Sequence, residues 1–307
     1  MLKECTVNVP GKVIITGEHS VLQGCPAIAA ACSRYITNHL YLNDTGKIEF
    51  KDPEPQPPVA YKLLNQAVEE FKRYFELKSG ITMEFTSTLP IGSGMGSSAA
   101  VASSVFAGLC MIIENRIAPE AMLESIKRCE NIIHGTSSGL DPAAVIYGGM
   151  VKKADGKITP RPLSIPLQFY IVNTGKPECS TGEAVAEAKK HFTPSLITQF
   201  TEVAERIEEH LESGDLTSLI DDVQENEKLL ETIGVVPDPA KAFARKAEAL
   251  SMGFKISGAG ASCGDKGGIG LLFIKEGQEA QAKELCQSCG YSISPIQFHI
   301  GGLPCLA

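Results

Sequence analysis

Hydrophobic and polar positions follow strand-like and helix-like periods in turn along the first half of the chain. The opening VNVPGKVIITGEHSVL has short apolar runs around Pro and Gly, which predict a strand, a tight turn and a second strand. Tyr35 to Leu42 and Ile81–Ser87 also have strand patterns, whereas apolar residues from Val59 to Leu77 recur at helical spacing. The pattern predicts strands that alternate with helices.

Helical spacing dominates the rest of the chain. A glycine-rich loop leads into an apolar helix that ends near Ile113, and a second helix begins near Pro119. A further strand is predicted at IYGGMVKK. Apolar spacing predicts amphipathic helices over 194–212, 215–232 and 238–251. After them comes a glycine-rich segment with the pattern of strand and turn, GFKISGAGASCGDKGGIGLLFI. We therefore predict an α+β protein in two lobes, with domains at residues 1–165 and 166–307.

Composition and charge narrow the class of protein. With 43% hydrophobic and 21% charged residues, the chain is typical of a folded globular protein. Its net charge of −8 and its lack of a basic cluster argue against nucleic acid as a partner. The sequence has no apolar run that would cross a membrane and no secretion signal, so we expect a cytoplasmic protein. Its ten cysteines lack the spacing of a disulfide framework and are expected to be free thiols.

The loop LPIGSGMGSSAA, residues 89–100, is the clearest chemical signal. Glycines allow a ligand to approach the backbone closely, and the unpaired N–H groups at the start of the following helix attract anions. The loop lacks the GK[ST] ending of a Walker motif and the third glycine of a dinucleotide fingerprint. It predicts a cradle for a di- or triphosphate; the alternative is a glycine turn that only closes a corner between strand and helix.

Position for position, this loop resembles the signature of the GHMP kinases, the superfamily of galactokinase, homoserine kinase, mevalonate kinase and phosphomevalonate kinase. PGKVIITGEHSVL and KISGAGASCGDKGG lie where that superfamily has its other motifs. The resemblance implies a two-lobed GHMP kinase fold, with an N-terminal lobe like domain 2 of ribosomal protein S5, a ferredoxin-like C-terminal lobe, and ATP between them. The ATP-binding residues that it implies are Pro90, Gly92, Ser93, Gly94, Met95, Gly96, Ser97 and Ser98.

The resemblance also implies the reacting groups. Phosphoryl transfer from ATP needs a divalent cation, here Mg²⁺, and by resemblance to the mevalonate kinases its ligands are Ser98 and Glu130. Asp141, in SSGLDPAAVIYGG, matches the position of the general base, and Lys12 matches the lysine that stabilises charge at the reacting hydroxyl. Without the resemblance, Glu130 would be predicted as a solvated helix residue and Asp141 as a turn or cap residue.

Four further residues are implied to bind the acceptor alcohol: His19, Ile133, Thr181 and Ala259. His19 lies in GEHSVL, which resembles the GEHxV block of the mevalonate kinases, and Thr181 lies in NTGKPECSTGE, a looser match. The last motif departs from KxTGAGGGG, the usual mevalonate kinase pattern, because Ala261, Ser262 and Cys263 replace glycines. This departure puts the geometry of the acceptor pocket in question.

Together these features predict a kinase that transfers the terminal phosphoryl group of ATP to the primary hydroxyl of mevalonate. The alternatives are another acceptor, such as phosphomevalonate, homoserine or a sugar, or a GHMP relative that senses a metabolite without catalysis. A phosphorylated acceptor would need additional basic residues in the pocket, for which Arg34, Lys176 and Lys266 are candidates. The relatives also make a homodimer an expectation.

Overall fold

The computed structural model describes residues 1–51, 58–89, 94–135, 137–161 and 169–307, without the side chains of residues 133 and 134. This part of the chain folds into two β-sheets with helices packed against them. No helix in it is long and apolar enough to span a bilayer.

The first sheet is built around one long strand. Its strands in the described part of the chain are β1 (Glu4–Thr16), β2 (Ala27–Asn43), β3 (Ile48–Lys51), β4 (Gly80–Ser87), β5 (Met150–Ala154) and β6 (Lys157–Arg161). β2 pairs antiparallel with β1 along most of its length, and also with β4 through its C-terminal half and with β5 through its first residues. The long β1–β2 pair therefore carries the rest of the sheet.

Strand β1 changes from one buried face to two as it enters the protein. Cys5 and Val7 are buried between exposed neighbours, but every residue from Val9 to Thr16 is buried. Because side chains alternate along a strand, Lys12 shares a face with Ile14. Ile14 packs against a small apolar cluster that includes Leu140. The register of β1 thus directs the lysine toward the segment that contains Asp141.

In the described part of the first half, four helices cover this sheet: α1 (Pro58–Lys72), α2 (Ser97–Ile112), α3 (Pro119–His134) and α4 (Leu140–Tyr147). Helix α2 is apolar on nearly all sides, as expected of a fully buried helix, and contacts β1, β2 and the other three helices. Its first turn consists of serine and alanine, whose small side chains leave room at the helix N-terminus.

The second sheet is entirely antiparallel, in the order β10-β7-β9-β8. Its strands are β7 (Phe169–Gly175), β8 (Gly253–Ser257), β9 (Gly268–Phe273) and β10 (Ser292–Ile296). Helices of the second half are α5 (Thr181–Lys189), α6 (Pro194–Ser213), α7 (Leu216–Thr232), α8 (Asp238–Ala249) and α9 (Glu279–Ser288). The predicted domain boundary at residue 165 lies outside the described residues and stays a prediction.

The predicted helices at 194–212, 215–232 and 238–251 are confirmed as α6, α7 and α8. Their ends have local causes: Thr193 caps α6 by accepting the Leu196 amide, Asp215 caps α7, and Gly214 ends α6 at φ +81°.

Two sequence predictions about local structure are wrong. The opening segment is not two strands joined by a turn: β1 runs on through Thr16, and Pro10 and Gly11 produce only a register shift. IYGGMVKK is not one strand, because its first two residues end helix α4, and β5 begins after two glycines. Pro142 is tolerated in α4 because it lies in the first turn.

The two sheets meet where β1 and β8 approach each other. The Ser257 hydroxyl accepts a hydrogen bond from the Ile14 amide at 2.9 Å and donates one to the Ile14 carbonyl at 3.1 Å. Beside this contact, the buried side chains of Lys255 and Glu18 form an ion pair. These contacts join the end of β1 and the turn at Glu18 and His19 to the glycine-rich motif that begins in β8.

Candidate active site

Elements from distant parts of the chain bring four polar side chains together at the N-terminus of α2. Lys12 comes from β1, Ser98 from α2, Glu130 from α3 and Asp141 from the first turn of α4. The Lys12 Nζ atom lies 3.1 Å from Oδ2 of Asp141, and the Ser98 Oγ atom lies 2.5 Å from Oε1 of Glu130. The structure therefore groups the residues predicted for catalysis and for metal binding.

Lys12 is buried, whereas Asp141 remains accessible. The lysine side chain is 1% exposed and the aspartate side chain 31%. Besides the ion pair, Nζ of Lys12 donates a hydrogen bond of 2.8 Å to the Gly94 carbonyl. The lysine backbone amide also donates to the Met95 carbonyl at 3.0 Å. One residue thus fixes the end of the glycine loop and neutralises a carboxylate that solvent or a ligand can reach.

Two glycines are required where the loop meets α2. Gly96 has φ +71°, a left-handed conformation that other residues rarely adopt, and a Cβ there would lie 2.8 Å from Cγ of Lys12. Gly94 has φ +86°, and a Cβ there would lie 3.3 Å from the Ser257 carbonyl oxygen. The glycines let the backbone pass close to both halves of the protein. The N-terminus of α2, with its partial positive charge, follows immediately.

Glu130 is a buried carboxylate in surroundings that do not favour its charge. Burial raises the pKa of Glu130 to about 7, and the nearby negative charge of Asp141 adds to the rise, while hydrogen bonds from Ser98 and Ser137 oppose it. Ser137 Oγ lies 3.3 Å from Oε2 of Glu130. A cation beside Glu130 and Asp141 would relieve this repulsion.

These residues fit Mg²⁺ held together with a nucleotide. A carboxylate and a hydroxyl are hard oxygen donors, and Mg²⁺ in nucleotide sites takes one or two protein ligands beside phosphate oxygens and water. Among the described residues, no group of three or more His, Cys, Asp or Glu side chains could hold a metal ion. Ser98 and Glu130 therefore suit a cation that arrives with ATP.

A cavity of about 220 Å³ adjoins the glycine loop. Its lining includes Gly94, residues between Lys176 and Thr181, and the glycine-rich motif with Ser257 and Ala259. Two of the residues predicted for the acceptor, Thr181 and Ala259, thus line one cavity that reaches the predicted phosphate loop. This cavity is the candidate acceptor pocket.

His19 lies behind the wall of this pocket. It is buried, and its Nε2 atom lies 2.9 Å from the carbonyl oxygen of Ala259. Burial lowers the pKa of His19 to about 4, so the ring is neutral at physiological pH. With Nε2 donating its proton to Ala259, Nδ1 is an acceptor, and it has no hydrogen-bond partner among the described residues.

Other predicted residues cannot be placed, and some charged residues were not predicted. Pro90, Gly92 and Ser93 lie outside the described residues, as does the side chain of Ile133. Sequence reasoning missed the Glu18–Lys255 ion pair, although both residues lie within the motifs that carry the resemblance. Helix α5 was missed too, although Ser180 and Glu183 form a capping box whose spacing the sequence displays.

Comparison with known proteins identifies the family. Residues 62–149 match the model of the GHMP kinases N terminal domain. The mevalonate kinase of Thermococcus gammatolerans is 30% identical over 293 residues, which cover 82% of this chain and 85% of that protein. The chain belongs to the GHMP kinase family. The sequence prediction of the family is thereby confirmed.

Solved structures confirm the predicted fold of this GHMP kinase. L. major mevalonate kinase in complex with R-mevalonate superposes with a TM-score of 0.81 at 23% identity, covering 97% of each chain. Streptococcus pneumoniae phosphomevalonate kinase in complex with phosphomevalonate and AMPPNP superposes with a TM-score of 0.80 at 17% identity, covering 96% of this chain and 99% of that one. The fold alone therefore does not distinguish a kinase that acts on mevalonate from one that acts on phosphomevalonate.

Proposed function

We propose that this GHMP kinase transfers the terminal phosphoryl group of ATP to the primary hydroxyl of mevalonate, releasing phosphomevalonate and ADP. The observation that carries the proposal is the Lys12–Asp141 pair at the N-terminus of α2, beside Ser98 and Glu130. The relative of highest identity given above, a mevalonate kinase, supports the choice of acceptor.

ATP binds with its phosphates along the glycine loop. Main-chain amides at Gly94, Met95, Gly96 and Ser97, and the N-terminus of α2, supply hydrogen-bond donors and partial positive charge to the phosphate oxygens. Pro90, Gly92 and Ser93 would extend the same cradle. The complex of a phosphomevalonate kinase of this fold with AMPPNP supports nucleotide binding by the fold.

Ser98 and Glu130 would hold Mg²⁺ through their side-chain oxygens. When bound, the cation neutralises the phosphate oxygens of ATP and draws charge from the transferred group. Glu130 must be ionised to serve as a ligand, and the metal charge favours that form. The Ser98–Glu130 contact holds the two oxygens together before the metal arrives.

Asp141 and Lys12 act on the acceptor hydroxyl. The Asp141 carboxylate accepts the hydroxyl proton while the oxygen attacks the terminal phosphorus of ATP, and the P–O bond to ADP breaks. The Lys12 ammonium is held by the Gly94 carbonyl and cannot rotate away, so it stabilises negative charge on the reacting oxygen. The pair supplies position and charge without a covalent intermediate.

The pocket wall suits an acceptor with one carboxylate. Of the described residues that line the cavity, Lys176 has the only positively charged side chain. Mevalonate presents one carboxylate at neutral pH, whereas phosphomevalonate adds a phosphate that would require further cations. Arg34 and Lys266, the other basic candidates, are absent from this lining. Thr181 would hydrogen-bond a polar group of the acceptor, and His19 would support the pocket wall through its hydrogen bond to the Ala259 carbonyl.

A coupled assay of ADP release tests the function. The protein with ATP and Mg²⁺ is given mevalonate, phosphomevalonate, homoserine or galactose in parallel. We expect ADP release with mevalonate and at least a hundredfold lower kcat/KM with the others, about 2.7 kcal/mol of discrimination. Release with phosphomevalonate instead would establish the second candidate. ATP binding without turnover on any acceptor would indicate a metabolite sensor.

Two further expectations accompany the proposal. We place the enzyme in the cytoplasm because its ten cysteines are free thiols, as is usual in a reducing compartment. A homodimer, expected from the relatives, is tested by light scattering of the purified protein. Neither property changes the chemistry of the site.

A further inference from the structure

Two cysteines lie on the two segments that line the acceptor pocket. Cys179 lies in the segment between β7 and α5 and lines the cavity. Cys263 lies in the glycine-rich motif, at one of the positions where this chain departs from the mevalonate kinase pattern, and its side chain is exposed. Cys263 follows Ser262, whose amide donates to the sulfur of Cys179, and the thiols of Cys179 and Cys263 influence each other's pKa.

The sulfur of Cys179 accepts two hydrogen bonds. The Ser262 amide donates to it at 3.3 Å and the Ser262 hydroxyl at 3.7 Å. A neutral thiol is a weak acceptor, so two converging donors suit a thiolate. Cys179 also precedes the nine-residue helix α5, whose N-terminus favours negative charge.

The same contacts shift the pKa values of the two thiols in opposite directions. Partial burial acts to raise the pKa of the Cys179 thiol, but the hydrogen bonds from Ser262 and Cys263 outweigh it and lower the pKa. The hydrogen bond to Cys179 raises the pKa of Cys263. The thiolate is the nucleophilic form of cysteine, so Cys179 would react first and Cys263 second.

The two loops that carry these cysteines are already packed together. A Cβ at Gly264 would lie 2.7 Å from the carboxyl carbon of Glu178, and a Cβ at Gly175 would lie 2.7 Å from Cδ of Lys266. A bond between the sulfurs would therefore join two segments in contact, both of which line the acceptor cavity.

We propose that Cys179 and Cys263 form a reversible, peroxide-sensitive disulfide that ties together two walls of the acceptor pocket. The Cys179 thiolate attacks one oxygen of a hydroperoxide, breaking the O–O bond and releasing water or an alcohol, and becomes a sulfenic acid. The Cys263 sulfur then attacks the sulfenic sulfur, the S–O bond breaks, and the hydroxyl leaves as water with the proton of the Cys263 thiol. Two thiols lose two electrons in total, and the peroxide gains them.

Such a bond is compatible with free thiols in a reducing compartment. Disulfides in cytosolic proteins are usually transient and redox-sensing, and cellular thiols reverse them. The disulfide chemistry does not depend on the proposed function, whereas its effect on the acceptor pocket does. The test therefore separates bond formation from activity.

Peptide mapping tests the bond. The reduced protein is treated with hydrogen peroxide, denatured, alkylated, digested and analysed by mass spectrometry. We expect one disulfide-linked peptide pair containing Cys179 and Cys263, so that alkylatable thiols fall by two from the ten of the sequence. The pair should be missing in Cys179→Ser and Cys263→Ser and retained in Cys289→Ser, a partly buried cysteine elsewhere. In Cys263→Ser, dimedone should label Cys179 as a sulfenic acid.

Other outcomes would overturn the proposal. Recovery of both residues as alkylated thiols, at a peroxide dose that oxidises Cys289, would show that the pair is not reactive. A disulfide from either residue to a different cysteine would refute the pairing. Far-UV circular dichroism and the melting temperature of each variant show whether it is folded, and Cys263→Ser should be, because residue 263 is exposed.

Steady-state kinetics test the effect on the pocket. Oxidised wild type should show a KM for mevalonate raised about tenfold, which corresponds to about 1.4 kcal/mol, with a smaller change in KM for ATP. Thiol reductant should restore the original value, and Cys179→Ser should not respond to peroxide. An unchanged KM in protein that carries the mapped disulfide would refute the link to the pocket. If no acceptor is turned over at all, the proposed function fails while the peptide map still decides on the bond.

Discussion

Nζ of Lys12 lies 3.1 Å from a carboxylate oxygen of Asp141 and 2.8 Å from the carbonyl oxygen of Gly94. Strand β1 supplies the lysine, helix α4 the aspartate and the glycine loop the carbonyl. The lysine is buried and the aspartate is partly exposed, so the positive charge is fixed in the protein while the carboxylate remains accessible. This asymmetry is what a base and a charge-stabilising group need when they act on one hydroxyl.

Replacing Asp141 by Asn should remove the proton acceptor with little change in shape. We expect kcat to fall by about 100-fold to 10,000-fold, because the amide cannot accept the hydroxyl proton. ATP affinity, measured by isothermal titration calorimetry, should change little. Asp221→Asn, at an exposed position on α7, is the matched control and should retain full turnover. Near-normal kcat in Asp141→Asn would exclude Asp141 as the base.

Replacing Glu130 by Gln should weaken metal binding. Even residues that only support metal ligands change metal affinity by about 10-fold to 100-fold when mutated, so loss of a direct ligand should change it at least as much. The measurement is the Mg²⁺ concentration for half-maximal ADP release at saturating ATP and mevalonate. Chelation by EDTA should abolish turnover of the wild type. An unchanged Mg²⁺ requirement in Glu130→Gln would refute its role as a ligand.

Replacing Glu18 by Gln should destabilise the protein where the two sheets meet. The change leaves the buried ammonium of Lys255 without its carboxylate, and breaking a buried ion pair in this way typically costs about 3–5 kcal/mol. Urea unfolding measures the free energy difference. Glu248→Gln, which breaks an ion pair with Lys228 at the surface, should have much less effect. Equal changes in the two variants would contradict a special role for the buried pair.

Glu227 should make stability depend on pH. Its carboxylate accepts the Ile256 amide, but burial raises the pKa of Glu227 from 4.5 to about 8. The folded state therefore holds a proton that the unfolded state releases between these values. The resulting stabilisation is complete below pH 4.5 and is lost as pH rises through about 8.

The test of this dependence compares wild type with Glu227→Gln. The variant keeps a neutral side chain of similar shape at every pH, so its melting temperature should rise relative to that of the wild type as the buffer changes from pH 5 to pH 9. The charges of Glu18, Glu231 and Lys255 act on Glu227 in the wild type, and all three residues are present in both proteins. Melting temperatures that differ by a constant amount across this range would show that Glu227 titrates normally.

Much of the secondary structure followed from local signals. Helices α6, α7 and α8 combine apolar residues at helical spacing with caps at Thr193 and Asp215, so their limits could be predicted within a few residues. Helix α4 was missed because its eight residues are too short to show a period, and Gly148 and Gly149 resembled a turn within a strand. Strand β1 was divided in error, because pairing with β2 keeps the chain extended through Pro10 and Gly11.

Some residues of the candidate site were predicted from the sequence and others were not. Lys12, Ser98, Glu130 and Asp141 were proposed from motif resemblance, and the structure places them together. Glu18, Lys255 and the Cys179–Cys263 contact were not predicted. These pairs join residues far apart in sequence, and a charged or sulfur-bearing residue carries no local sign of the partner that tertiary folding gives it.

By itself, the sequence determined most of the helices and strands, where the glycine loop lies, and which family the chain resembles. These properties depend on residue spacing, small side chains and glycine, and they act over a few neighbouring positions. Only the tertiary structure decided that Lys12 is buried against Asp141, that Glu18 and Lys255 share a buried site, and that two thiols meet at the pocket. Such contacts depend on strand register and helix packing, which bring distant residues together through the whole core.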